Sequence, residues 1–149
     1  MKKHATERRK RKPSRVQYAA LPYRARDKSE VEILLVTSRG TRRWIIPKGW
    51  PMKGKAPHAA AAREALEEAG VVGQIGKEPI GSFSHSKLLK RGDAVVCEVQ
   101  VYPLQVTRQQ KTWPEKGKRK LQWFSTSEAA KTVSEPVLGT IIRDLEKKS

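Results

Sequence analysis

The stretch "KGWPMKGKAPHAAAAREALEEAGV", Lys48 to Val71, constrains this chain more than any other part of it. Its first half sets Gly49, Pro51 and Gly54 close together, which prevents regular structure and predicts a loop. Its second half starts at Pro57, a residue suited to the first helical position, and runs through alanines to Gly70, suited to a left-handed C-terminal position. A helix is therefore expected from Pro57 to Gly70. On it Glu64, Glu67 and Glu68 stand at i, i+3 and i+4, so their side chains share one face while Ala62, Ala65, Leu66 and Ala69 turn to the core. Like charges at i, i+4 cost about 0.2–0.5 kcal/mol per pair, and no Lys or Arg lies four residues on to relieve them. A hard divalent cation such as Mg²⁺ or Mn²⁺ would relieve them better, because it favours carboxylate oxygens and commonly bridges to phosphates. A solvated acidic helix face is the competing account of the same three residues.

The rest of the chain reads as the frame for that helix. "VQYAALPYR" and the continuous β-branched and leucine run "VEILLVTSR" predict strands, the second buried on both faces. "RRWIIP" predicts a short strand ended by Pro47. After the helix, "GQIGKEPIGSFSHSK" and "DAVVCEVQVYPLQV" predict two more strands, with Val95, Cys97, Val99 and Val101 alternating onto one face. The loop "TRQQKTWPEKGKR" leads to a strand "KLQWFS". Ser125 and Glu128 have capping-box spacing for a short helix, and Val137, Leu138, Ile141, Ile142 and Leu145 form the apolar stripe of a closing helix.

Composition narrows the partners. The 149 residues hold 32 Lys+Arg against 15 Asp+Glu, a formal net charge of +17, which points to polyanions: nucleic acid, polyphosphates, phosphorylated small molecules or anionic lipid. Residues 1–15 carry eight of those cations and are expected to form a basic, disordered arm ahead of one domain at 16–149. The arm reads either as a solubilising tail or as an electrostatic tether for weak nucleic-acid contact. A single cysteine, Cys97, rules out an internal disulfide, and no Cys/His cluster offers a zinc site. The alternation of its strand places Cys97 in the core rather than in a nucleophilic site. A reducing cytoplasm is expected, with neither a secretory leader nor a run of eighteen apolar residues for a membrane.

The helix and its loop resemble the Nudix hydrolase box. In that pattern Gly, five residues, Glu, seven residues, Arg-Glu, an apolar residue, any residue, Glu-Glu, any residue, Gly and an apolar residue follow in order. This chain supplies Gly49, Arg63, Glu64, Ala65, Glu67, Glu68, Gly70 and Val71, and departs at Lys55, where the pattern has Glu. The resemblance extends over roughly Val16 to Arg143. Within the family it is similar to the diphosphoinositol polyphosphate phosphohydrolase branch, through "YAALPYR", "ILLVTSRGTRRWIIPKG", "REALEEAGVVGQIGK" and "KGKRKLQWFS".

That resemblance implies an α+β architecture, the Nudix fold, with a mixed β-sheet sandwiched between α-helices. It implies metal-dependent attack of water on phosphorus in a diphosphate, with Mg²⁺ or Mn²⁺ held by Glu64, Glu67 and Glu68. Arg63 is expected to orient Glu64 by an ion pair. A general base would be Glu64 itself or a carboxylate from outside the helix, Glu115 in preference to Glu98. Around such a site Arg24, Lys48, Lys53, Lys55, Lys87, Lys90 and Arg91 would grip a densely phosphorylated small molecule, with Gly49 and Trp50 in the box loop beside it. Trp50 would stack on a base or cap the pocket, Trp44 and Trp123 would pack, and His85 is a possible phosphate donor. A noncatalytic polyphosphate- or RNA-binding module on the same scaffold is the alternative that Lys55 and the basic arm suggest.

Overall fold

The computed structural model describes residues 15–26 and 30–148. The basic arm expected over residues 1–15 lies outside the described residues except for Arg15, which opens the first strand. In chain order the elements are β1 (Arg15–Ala25), β2 (Val31–Thr37), β3 (Trp44–Ile45), β4 (Lys48–Gly49), α1 (Pro57–Ala69), β5 (Val71–Ile75), β6 (Gly81–Leu88), β7 (Ala94–Gln109), β8 (Leu121–Ser125), α2 (Thr126–Thr132) and α3 (Pro136–Lys148).

The strands form one mixed sheet. Its central path is β3-β2-β1-β7-β5, with β4 joined to β1, β6 to β7 and β8 to β2. β1 and β7 run parallel, Arg15 facing Cys97 and Tyr23 facing Gln105, while the other pairs are antiparallel. The sixteen residues of β7 serve two partners in succession, β6 along the first half and β5 along the second. β1 and β2 are buried on both faces in their middles because helices cover both sides, which is why their sequences read as unbroken apolar runs.

Alternation sorts the core into two layers. Ala19, Leu21, Ile33, Leu35, Cys97, Val99 and Val101 face α2 and α3, meeting Ala129, Leu138, Ile141, Ile142 and Leu145. Ala20, Leu34, Val36, Tyr102 and Leu104 face α1 and meet Ala61, Ala65 and Ala69. The short side chains of that stripe let α1 lie close to the sheet, and Gly70 ends it with φ 72°, its amide donating to Leu66 O. Ser125 caps α2 as its spacing predicts, its hydroxyl accepting from the Glu128 amide at 3.1 Å.

Several boundaries differ from the sequence reading. The expected strand "GQIGKEPIGSFSHSK" is two strands, because Gly76 and Pro79 break it between β5 and β6. The box loop is not wholly irregular, since Lys48 and Gly49 pair with Ala19 and Tyr18. α1 is rotated from the expected face: Ala62 and Leu66 are half-buried, whereas Ala61 is buried and Glu68, at 5% exposure, is buried with it. Val137, placed in the apolar stripe of α3, is 53% exposed, because the stripe narrows at the first helical turn. Among the described residues no helix is long and apolar enough to cross a membrane.

The alanine stripe generates a stability prediction. Ala65→Leu inserts three carbons where no space exists and should cost about 1–3 kcal/mol, read as a lower urea midpoint. An unchanged midpoint would mean that α1 lifts from the sheet without penalty.

Candidate active site

α1 delivers three carboxylates to the end of the sheet and treats each differently. Glu64 is half-buried and lies directly under the box loop: a β-carbon on Gly49 would stand 2.0 Å from Glu64 Oε2. A side chain at position 49 would force the Glu64 carboxylate to move, so Gly49 keeps that carboxylate where it lies. Glu64 and Glu68 stand one helical turn apart, where two carboxylates resist being ionised together. Burial is the largest cause that raises the pKa of both, and it pushes Glu68 up to about 8 against the opposing charge of Arg119. Glu68 Oε1 is buried without a hydrogen-bond partner.

Glu67 has a different partner. The ion pair expected between Arg63 and Glu64 is made with Glu67 instead, Arg63 Nε donating to Oε2 at 2.7 Å across one helical turn. Among the described residues no three His, Cys, Asp or Glu side chains converge as a ready-made metal cage. The chemistry of the donor set still fits a hard divalent cation. Two neighbouring carboxylates, one with an orphaned buried oxygen, would gain a common partner in a divalent cation.

The segment after β7 brings a fourth carboxylate. Glu115 donates its amide to Glu67 O at 3.0 Å, and its side chain accepts from Arg119 Nε at 2.8 Å. Arg119, with a side chain only 10% exposed, also lies 3.9 Å from Glu68 Oε2 and donates to Thr37 O at 3.1 Å. Glu98 instead sits on the exposed face of β7, in a separate depression with Ser82 and Gln100. Of the two outside carboxylates weighed from sequence, Glu115 is therefore the one beside α1.

Glu68 stands at the foot of a cleft of about 460 Å³. Arg39, Arg43, Lys48, Lys87 and Arg119 line it, and among the described residues Glu68 is the one acid in its lining. The β2–β3 turn aims two of these cations. Ser38 accepts from the Arg43 amide through Oγ at 3.0 Å and hydrogen-bonds to Thr41 Oγ1 at 2.8 Å, while Arg42 takes the left-handed region at φ 60°. Burial lowers the Lys48 pKa, although Glu68 opposes it. Burial, then the charge of Lys48, lowers that of His85, which hydrogen-bonds to Gln17 Oε1 at 3.2 Å.

The other residues named from sequence lie elsewhere. Arg24 is at the far end of β1 from Gln17, in an ion pair with Glu32 at 2.8 Å and 3.9 Å from the Trp123 ring centroid. Lys55 lines a groove on the outer flank of α1 together with Arg63, Ala59 and Leu66, away from the cleft. Lys53 is exposed in the box loop, and Trp50 beside it carries the Arg15 guanidinium at 5.9 Å from its ring centroid. Lys90 and Arg91 are exposed at the β6–β7 turn, Arg91 paired with Asp93 at 2.8 Å. Sequence reasoning missed Arg39, Arg43, Arg119, Gln17 and Ser38. The basic turn "SRGTRR" was a visible signal for the first two, whereas Arg119 is hidden among the cations of "KGKRK".

Comparison with known proteins bears on the family and the fold. The NUDIX domain profile matches residues 13–145. Diphosphoinositol polyphosphate phosphohydrolase 3-beta of Bos taurus is 36% identical over 111 residues, which cover 72% of this chain and 63% of that protein. Nudix hydrolase 21, chloroplastic, of Arabidopsis thaliana is 32% identical over 112 residues, covering 73% of this chain and 54% of the other. The chain thus spans about half to two thirds of the length of the curated relatives it matches. In fold it is similar to the C. elegans Ap4A hydrolase, at a TM-score of 0.64 with 19% identity, covering 91% of this chain and 98% of that one. It is similar also to the NUDIX domain of Shewanella oneidensis NrtR complexed with ADP ribose, at a TM-score of 0.65 with 15% identity, covering 93% and 90%.

The buried acid pair makes stability depend on pH. Glu68 binds its proton more tightly in the folded chain than its ordinary value of 4.5 allows, so its contribution is fully present below that pH. It is lost as pH rises toward about 8. In metal-free protein, urea unfolding should therefore show stability falling from pH 5 to pH 8.5, and Glu68→Gln should flatten that decline. A wild-type slope retained in full by Glu68→Gln would place the titration elsewhere.

Proposed function

The chain belongs to the Nudix family, and from that premise we propose that it is a metal-dependent pyrophosphohydrolase that cleaves a diphosphate bond in a highly phosphorylated substrate. Inositol pyrophosphates and diadenosine polyphosphates are the substrate types the reading favours, given the relatives named for the first and the fold neighbour named for the second. The observation that carries it is the meeting of the buried, partly orphaned Glu68 carboxylate, with Glu64 one turn away, and the cations Arg39, Arg43, Lys48, Lys87 and Arg119 around one cleft. A site that concentrates positive charge beside two carboxylates can accept a polyanion and a divalent cation together.

Glu64 and Glu68 are the residues that would hold Mg²⁺ or Mn²⁺, joined by Glu67 when it leaves Arg63. Such a cation, when bound, neutralises phosphate charge and lowers the pKa of the attacking water. Arg39, Arg43, Lys48, Lys87 and Arg119 bind phosphate oxygens, the arginines by paired N–H donors where their geometry allows. Glu115 accepts the proton of the attacking water, and the Arg119 ion pair holds its carboxylate in place for that task. The lone cysteine in the core is in keeping with a reducing cytoplasm. The comparisons give no support to nucleic-acid contact through the basic arm, so it forms no part of the proposed function.

The test is incubation with a panel of diphosphate compounds and Mg²⁺ or Mn²⁺, with phosphate release as the readout. Turnover is expected on the densely phosphorylated members, and Glu64→Gln or Glu68→Gln should reduce it by about a hundredfold or more at saturating metal while the protein still unfolds cooperatively. Turnover within a few-fold of wild type would remove that residue from the site. No turnover on any compound, with tight binding of the same compounds, would favour a noncatalytic binding module.

Lys55 supplies a separate expectation. It faces the flank of α1, so Lys55→Glu acts on the cleft only through screened solvent and should shift KM by no more than about threefold at 0.15 M salt. The shift should be larger for highly phosphorylated substrates than for nucleoside diphosphates. A uniform rise in kcat on every substrate would instead mark Lys55 as a residue that weakens the box loop.

A further inference from the structure

The segment from Gln109 to Arg119 is fastened to the carboxyl end of α1 at several points. The Gln109 side chain donates to Ala69 O at 2.9 Å and to Gly70 O at 3.1 Å. The Gln110 amide donates to Gly70 O at 2.7 Å, and the Glu115 amide donates to Glu67 O at 3.0 Å. Carbonyls of a last helical turn have no partner inside the helix, so these donors serve groups that would otherwise face water.

Between the two attachments lies Trp113. Its ring meets Gly70 so closely that a β-carbon there would stand 2.3 Å from the ring atoms. Gly70 thus answers two demands at once, a left-handed backbone and a seat for an indole. The Trp113 Nε1 is buried without a hydrogen-bond partner, so apolar contact holds the ring in place, with the Lys116 ammonium 5.2 Å from its centroid. Trp113 does not line the cleft. Two residues beyond it Glu115 turns toward Arg119, and Arg119 in turn reaches Glu68 and Thr37.

We propose that Trp113 is a positioning residue for the reaction: seated on Gly70, it fixes the 110–119 segment and thereby holds Glu115 and Arg119 beside the carboxylates of α1. The inference rests on the hydrolase reading given above. It differs from a purely stabilising contact in what removal of the ring does. Loss of the seat frees the segment, so Glu115 and Arg119 sample other positions while Arg39 and Arg43 of the β2–β3 turn, Lys48 of β4 and Lys87 of β6 stay in place. The chemical step slows by more than substrate binding weakens, because four of the five phosphate-binding cations keep their places.

Trp113→Ala and Trp113→Phe, compared by steady-state kinetics on a diphosphate substrate and by amide hydrogen exchange, test this. In Trp113→Ala the Gln110 and Glu115 amides should exchange about tenfold faster or more, kcat should fall by about tenfold or more, and KM should stay within about threefold. Trp113→Phe, which keeps a flat ring, should recover most of both losses. If Trp113→Ala does not fold, Trp113→Leu carries the same expectation. An unchanged kcat overturns the proposal, whatever the exchange shows. So does a fall in kcat without faster exchange at Gln110 and Glu115, and so does a rise in KM with kcat intact. A wild-type protein that turns over no diphosphate would overturn the hydrolase reading itself, and the positioning role with it.

Discussion

Two carboxyl groups one helical turn apart, Glu64 half-buried and Glu68 buried, set the terms for everything around them. A buried acid resists ionisation unless cations or hydrogen-bond donors compensate it. Glu64 fits because Gly49 has no side chain to occupy its space, and Glu68 lies deep because the alanine face of α1 lets the helix approach the sheet. Arg119 stands near enough to oppose the effect of burial without forming a close pair, at 3.9 Å. The pair is therefore held in a state that a divalent cation would relieve.

Charge is distributed with the same logic. The chain as a whole carries +17, yet most of its cations are surface groups whose positions have little effect on one another through solvent. Those that matter are placed by short backbone devices. The Ser38–Arg43 turn aims Arg39 and Arg43, the pairing of β4 with β1 fixes Lys48, and the end of β6 presents Lys87. Glu67 shows the converse. Arg63, one turn away on the same helix, takes it out of the carboxylate group, so helical spacing both assembles the acids and diverts one of them.

Gly49 and Gly70 bracket the loop and helix, and each has a reason that concerns a side chain distant in sequence or structure rather than chain flexibility alone. Gly49 makes room for Glu64, and Gly70 for Trp113. The second contact joins α1 to the segment that carries Glu115 and Arg119. Helix, box loop and 110–119 segment thus depend on one another through close approaches that a single methyl group would disturb.

Periodicity and punctuation made most of the fold legible. The Pro57 start and Gly70 stop of α1, the Ser125 cap, the alternation of Val95 to Val101 and the double-sided burial of β2 all follow from local chemistry, which acts over a few residues. The spacing of Glu64, Glu67 and Glu68 also belongs to the sequence, since 3.6 residues per turn fixes which side chains share a helix face. Tertiary structure alone decided how deep each acid lies, and that Arg24 and Lys55 lie away from the cleft while Arg39, Arg43 and Arg119 line it. The reason is physical: burial, desolvation and ion pairing depend on distances between elements far apart in the chain, and a local pattern of residue types carries no information about those distances.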